Sequence, residues 1–362
     1  MVKNLYTILT FTLLLLPAFV TAQDTVLTDA NETFQGHTDD VTCIAFSYDG
    51  KTIATGSWDK RILIWDAEEM TVKTELKGHS TAILALSFSR NSQNLLSTAN
   101  DGTAMLWDIE AGTKSAAFYG NTVPLSGGAL SPDPGSRFLA TGGEEGVVKV
   151  YDRSKKNELV RSFLVNSPVY GLVFDNTGRN VFIASKDNTI RMYDHIQNTV
   201  KMTYEGHKSR VNAVAITIDG KYMITGSDDK TAIIWNTKTG EALHTLEGHT
   251  WKVLSVGFNP RGEYAVTSSN DGTARVWNVE TGEEMIQMKP SQRDVISQAV
   301  FSPDSRFVFT TSLVKNPDDD AIKKWETNLI KENTQADGAK GAKKVIKLGP
   351  DGKPLPASHP AE

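Results

Sequence analysis

Four residue types recur in this chain at intervals that could do chemistry. His207 is followed by Thr225, Asp229 and Trp235, at intervals of 18, 4 and 6 residues. A hydroxyl, an imidazole and a carboxylate in series are the parts of a nucleophilic triad, in which the histidine takes the hydroxyl proton and the carboxylate orients the ring. The same types stand at the same intervals in His37/Thr55/Asp59/Trp65, His79/Ser97/Asp101/Trp107 and His249/Thr267/Asp271/Trp277. Repetition argues against a triad. A nucleophile needs exposure and an oxyanion hole, and an active site would not be built four times in one chain. No catalytic residue is therefore assigned, and the protein is not expected to be an enzyme.

The elements that carry these residues repeat as well. An aromatic residue followed by Asp, Asn or Glu closes seven successive units: Trp65-Asp66, Trp107-Asp108, Tyr151-Asp152, Tyr193-Asp194, Trp235-Asn236, Trp277-Asn278 and Trp325-Glu326. The spacings are 42, 44, 42, 42, 42 and 48 residues. Gly-His pairs at Gly36-His37, Gly78-His79, Gly206-His207 and Gly248-His249 each lie 29 residues before their tryptophan. An acid lies six residues before every closing aromatic: Asp59, Asp101, Glu145, Asp187, Asp229, Asp271 and Asp319. Within each unit apolar residues alternate, β-branched types abound, and turn signals such as Tyr48-Asp49-Gly50 and Lys238-Thr239-Gly240 divide the unit into four short strands. Runs such as Ile62-Leu63-Ile64-Trp65 are apolar on both faces, so the sheets must pack between neighbouring sheets. Radial stacking achieves this and leaves few exposed edges.

From about residue 28 to 326 the chain resembles the WD-repeat (WD40-type) β-propeller family, whose units carry Gly-His and Trp-Asp signatures at this period. The resemblance implies an all-β fold, a seven-bladed β-propeller of four-stranded antiparallel blades. An outer strand precedes each Gly-His pair, and residues 28–35 fill that place before Gly36-His37. No comparable strand follows Trp325, so the N-terminal segment is expected to complete the last blade. The family also implies a hydrogen-bonded chain in each full set: indole to hydroxyl, hydroxyl to imidazole, imidazole to carboxylate. Buried polar groups need such partners, since an unpaired one costs on the order of 1–3 kcal/mol. Three units depart from the pattern. Unit three has Asn121 for His and Glu145 for Asp, unit four has Ile183 at the hydroxyl position, and unit seven has Lys289-Pro290 for Gly-His. Unit three is two residues longer at 131–136, and unit seven about six longer at 312–318.

The rest of the sequence bounds the function. Residues 1–22 have Lys3, a mostly apolar stretch, and small residues at Val20 and Ala22. That is the layout of a secretory signal peptide cut before Gln23, which predicts a periplasmic or secreted protein and no stable membrane insertion of the mature chain. A retained anchor is the alternative. The single cysteine, Cys43, sits in an apolar strand pattern and excludes an internal disulfide. Asn31 opens an Asn-Glu-Thr sequon. A net charge of −5 does not suggest nucleic acid. Residues 329–362 read as a flexible, basic tail. No cofactor motif is present, and Asp318-Asp319-Asp320 reads as solvated acid rather than a metal site.

The expected partners are proteins, bound at the face that carries the Gly-His loops and the acidic turns. Residues expected there include Asp39, Asp40 and Trp58 in blade one, and Asn100, Glu144, Lys186, Arg210 and Asp228 in blades two to five. Blade six adds Trp251, Lys252 and Asn270, and blade seven Arg293 and Asp294. Trp58 and Trp251 replace residues that are polar in most sibling units, and closure of the ring places blades six, seven and one side by side. Tryptophan and arginine dominate interface hot spots. The rival reading is an enzyme or small-ligand receptor that uses the central channel.

Overall fold

The structure, a computed structural model, describes residues 25–119, 123–290, 295–313 and 321–329. Seven antiparallel sheets stand around a common axis. Their inner strands are Val41–Phe46, Ile83–Phe88, Gly127–Leu130, Val169–Phe174, Val211–Ile216, Val253–Phe258 and Val295–Phe301. Each packs against the next, and the last packs against the first. The chain leaves every inner strand through a short turn and builds the blade outward.

Burial along the strands explains this order. The second strand of blade one, Thr52–Ser57, and the third, Arg61–Asp66, are buried on both faces between neighbouring blades. The fourth, Val72–Lys77, alternates with solvent and forms the outer edge. A strand apolar on both faces is stable only as the middle of a sandwich, so the sequence of each unit sets its depth in the ring. The core is a set of layers between adjacent blades. Between blades seven and one it contains Phe34, Ile44, Trp65, Phe309 and Ile322.

Inner strands are also cross-linked by side chains. Thr42 donates to the carbonyl of Ile83 at 2.6 Å, and Asn212 to that of Val253 at 2.8 Å. Ser297 donates to the carbonyl of Val41 at 2.7 Å, while Gln298 accepts from the amide of Ile44 at 2.8 Å. The last two bonds join blade seven to blade one, 250 or more residues apart in the chain.

The N-terminal segment closes the ring, with a difference from the expected strand over 28–35. It forms two short strands, β1 (Thr25–Leu27) and β2 (Glu32–Phe34). β2 completes blade seven, antiparallel to Ile322–Glu326, with Phe34 opposite Ile322. β1 adds a fifth strand to blade six, parallel to Glu284–Met288. The turn between them has a physical cause. Asn31 accepts from the amide of Glu326 at 2.6 Å and donates its own amide to Lys324, ending the ladder. Leu27 and Ala30 then pack over the layer between blades six and seven, beside Met288 and Trp325. One segment thus fastens two blades. Residues 1–24, with the proposed leader, lie outside the described residues, as do 330–362 of the tail. Among the described residues no helix is long and apolar enough to cross a membrane.

Candidate protein-binding face

One end of the ring carries the Gly-His loops, the starts of the inner strands and the acidic turns. In blade five the Trp235 indole donates to Thr225 Oγ1 at 2.8 Å. Thr225 Oγ1 lies 2.8 Å from His207 Nε2, and His207 Nδ1 lies 2.9 Å from Asp229. Every group is satisfied when the hydroxyl that accepts the indole N–H donates to Nε2 and Nδ1–H is donated to the carboxylate. Blades one and six repeat the arrangement. Trp65–Thr55–His37–Asp59 has contacts of 2.9, 2.8 and 2.8 Å, and Trp277–Thr267–His249–Asp271 of 3.0, 2.8 and 2.9 Å.

That proton order is the one a hydrolase triad uses, but the hydroxyls cannot meet a substrate. Thr55, Ser97, Thr225 and Thr267 are each 0% exposed, and each already accepts an indole N–H. The glycine of the opener belongs to the same design. A Cβ at Gly36, Gly78 or Gly206 would sit 2.8, 3.0 or 2.9 Å from Cη2 of that blade's tryptophan. The indole reaches its hydroxyl only because the opener has no side chain.

Blade two corrects the expected direct contact between imidazole and acid. Trp107 donates to Ser97 at 2.8 Å and Ser97 lies 2.7 Å from His79 Nε2, but His79 Nδ1 is 3.7 Å from Asp101. It contacts Thr103 Oγ1 at 3.0 Å, and Thr103 donates to Asp101 at 2.6 Å. What differs is the Ser80 hydroxyl: it joins the Ser80 amide on the other oxygen of Asp101, each at 2.9 Å, where in blades one, five and six the amide shares that oxygen with the imidazole. Thr103 belongs to a position that sequence reasoning missed. Thr231 and Thr273 stand there in blades five and six, each donating to its turn acid. The signal was present as Asp-x-Thr at 101–103, 187–189, 229–231 and 271–273.

The departing units replace the chain with other pairings. In blade seven Trp325 donates to Thr310 at 2.9 Å, a partner hidden in the sequence by the extra residues between them. In blade four Ile183 fills the hydroxyl position, Tyr193 donates to Asn198, and Phe163 of blade three stacks on the Tyr193 ring. Asp187 there pairs with Arg191 at 2.6 Å. Asn121 and Asp319 lie outside the described residues.

Burial alone would raise the carboxyls of Asp59, Asp229 and Asp271. The hydrogen bonds from His37, His207 and His249, the charge of those rings once protonated, and the amides of Thr38, Lys208 and Thr250 outweigh it, holding all three well below the usual range. A depressed carboxylate stabilises the fold fully above its unfolded pKa and loses that contribution as pH falls through the folded value. The thermal midpoint is therefore expected to fall as pH drops below about 4, and the triple Asp→Asn variant at 59, 229 and 271 to lose much of that slope. A midpoint that stays constant on acidification would contradict this.

The surface above the sets is held from beneath. In blade one Ser57 Oγ donates to the carbonyl of Asp39 and accepts the amide of Asp59, while the Trp58 amide donates to Asp40 at 2.9 Å. In blade six Ser269 does the same for Trp251 and Asp271, and the Asn270 amide donates to Lys252. Trp58 and Trp251 stand on this backbone 51% and 52% exposed. Asp39 is exposed, and Asp40 half-buried. Lys252 is not isolated: it pairs with Asp228 at 3.0 Å, and Asp228 also pairs with Arg210, which lies over the Tyr170 ring at 4.5 Å. These charges clip blades four, five and six together. Arg293 and Asp294 lie outside the described residues.

The channel is lined by small and neutral groups, among them Thr42, Ser126, Asn212, Ser255 and Gln298, around about 270 Å³. None of its lining residues is an acid, a base or an imidazole. Cys43 lines it too, and burial pushes its thiol up to about 12, which keeps it protonated. Among the described residues no cluster of His, Cys, Asp and Glu is placed to hold a metal ion. Asp318 and Asp320 lie outside them.

Comparison with known proteins agrees with the geometry. The profile of the WD40 family (WD domain, G-beta repeat) matches residues 30–66, 70–108, 117–152, 157–194, 198–236 and 240–278. Its first match takes in β2, which lies physically in blade seven. Over 203 residues the chain is 33% identical to guanine nucleotide-binding protein subunit beta of Schizosaccharomyces pombe, covering 56% of this chain and 66% of that protein. A stretch of 36 residues is 47% identical to probable cytosolic iron-sulfur protein assembly protein 1 of Kluyveromyces lactis, covering 10% of this chain and 11% of that protein. The chain thus spans at most about two thirds of the length of the curated relatives it matches.

Proposed function

The chain belongs to the WD-repeat (WD40) family, and on that premise we propose that it is an exported, non-enzymatic scaffold that binds partner proteins through the face just described. It would serve as a subunit of an envelope or secreted complex. The observation that carries the reading is the pair Trp58 and Trp251, half exposed on backbone that is already fixed by hydrogen bonds. Presenting an indole on a rigid support lowers the ordering cost of association, and buried tryptophans carry a large share of interface energy. The two blades that carry the indoles, six and one, are the neighbours of blade seven in the ring. The names of the two relatives, a subunit and an assembly protein, are in keeping with a role among other proteins. Export rests on the leader-like pattern of residues 1–22.

One purification tests both parts. The protein is isolated from its native host as wild type and as the Trp58→Ala/Trp251→Ala double variant. The mature chain is expected to begin at Gln23, and the variant to recover at least about tenfold less of the wild type's specific partner, the loss of a single hot spot being worth 2 kcal/mol or more. Its stability should stay within about 0.5 kcal/mol of wild type per exposed site. A chain starting at Met1 or Val2 would refute export. Equal recovery by a folded double variant would refute the binding face.

A further inference from the structure

The opposite end of the channel is built differently. There the inner strands end on Phe46, Ile216, Phe258 and Phe301, and the turns that follow frame an open cavity of about 720 Å³. A volume of this size is typical of small-molecule sites. Tyr48 and Ile218 stand in its mouth, 49% and 53% exposed, with Pro260 and Pro303 on the same rim.

One position of the repeat forms this rim. Two residues beyond the end of an inner strand stand Tyr48, Ile218, Pro260 and Pro303, which line this cavity, and Pro132 and Asn176, which line a smaller one that shares Tyr48, Arg90 and Ile218 with it, none of these six charged. The seventh is Arg90. Its backbone is fixed by a bond from its amide to Ser136 on the longer turn of blade three, at 3.1 Å. Its guanidinium lies over the Tyr48 ring at 4.7 Å and lines the cavity. Among the described residues that guanidinium has no hydrogen-bond acceptor and no ion-pair partner. The one acid in the lining, Asp49, is turned into its own loop, where it accepts from Ser47 at 2.6 Å and from the Lys51 amide at 3.1 Å.

An apolar bowl with a single unsatisfied fork of N–H donors matches one kind of ligand chemistry. We propose that this mouth binds a monoanionic amphiphile, a small molecule with an apolar body and one carboxylate or sulfonate group. The body would lie against Phe258, Phe301 and Ile218, and the anion would meet Arg90, which is geometrically suited to bidentate contact with such groups. Asp49 disfavours a second negative charge on the ligand. The site is at the other end of the ring from Trp58 and Trp251, so it stands or falls separately from the protein-binding face.

The test uses anilinonaphthalenesulfonate and its uncharged counterpart phenylnaphthylamine, which has the same aromatic body without the sulfonate. Both are titrated into the full-length protein and read by fluorescence. Each is expected to saturate one site. Arg90→Gln should weaken the sulfonate about tenfold, as loss of a hydrogen bond between charged groups does, and leave phenylnaphthylamine unchanged. Ile218→Asp should weaken both. Each position is at the surface, and an unchanged thermal midpoint confirms that both variants fold. Competition by decanoate or by naphthoate then identifies an aliphatic or an aromatic body. Sulfonate binding that is insensitive to Arg90→Gln, binding of either dye that is insensitive to Ile218→Asp, or displacement by neither acid would overturn the proposal.

Discussion

Truncating Trp235 to alanine is expected to lower the stability of the ring by about 3–5 kcal/mol, the range for removing a fully buried large aromatic. Trp235 is 1% exposed. Its ring meets Tyr204 edge-on at 5.8 Å, covers Gly206, and donates to Thr225. Alanine would leave a cavity between blades four and five and would also remove the donor that orders Thr225, His207 and Asp229. Trp235→Phe separates the two effects. It keeps most of the ring volume and loses the N–H, which should cost about 1–2 kcal/mol. Equilibrium denaturation of the three proteins is the measurement. If phenylalanine were as damaging as alanine, the hydrogen-bonded chain rather than packing would dominate the site. If neither variant lost stability, the structural role assigned to these residues would fail.

Phe34→Ala is the second large effect expected. Phe34 lies on β2, three residues long, and is 3% exposed. It stacks on Phe309 with ring centroids 6.5 Å apart and packs with Trp65 and Ile322. Because β2 is, among the described residues, the only strand by which the N-terminal segment enters blade seven, the substitution weakens the closure of the ring as well as its core. A loss of about 3–5 kcal/mol is expected, with a marked rise in the unfolding rate. Val26→Ala on β1 is the control. Val26 is 50% exposed, and its truncation should cost no more than about 0.5 kcal/mol. Similar stabilities for the two variants would show that closure does not depend on β2.

The parts of this molecule that were legible in the sequence are those with a repeated side-chain signature. Seven aromatic closers gave the blade number, and the family resemblance carried by the intervals among His207, Thr225, Asp229 and Trp235 anticipated contacts of 2.8 to 2.9 Å. What escaped depends on backbone pairing or on contacts between units. β1 is joined to blade six by main-chain bonds, and Thr25-Val26-Leu27 has no pattern that selects a neighbour. Thr310 was hidden because its interval to Trp325 is 15 residues where the other units have 10. Matching Phe307-Val308-Phe309-Thr310 to Tyr222-Met223-Ile224-Thr225 would have found it. The clip of Asp228 with Arg210 and Lys252 involves two blades and cannot be inferred from one repeat. The distal cavity was legible in principle, as seven equivalent turn positions with one arginine, but only once the ring brings them to a common rim.

The way the N-terminal segment is attached also sets how the molecule would respond to tension. A pull applied through Thr25 loads β1 and β2 before any other part of the ring. Each is three residues long and lies at the outside of its blade. Strands this short have few bonds to share a load, so they would detach in turn, first from blade six and then from blade seven. The inner contacts from Ser297 to Val41 and from Gln298 to Ile44 lie near the axis and would still hold the seam. The propeller therefore has a compliant outer fastening over a stiffer inner one, and the first few ångströms of extension would be taken up without opening the ring.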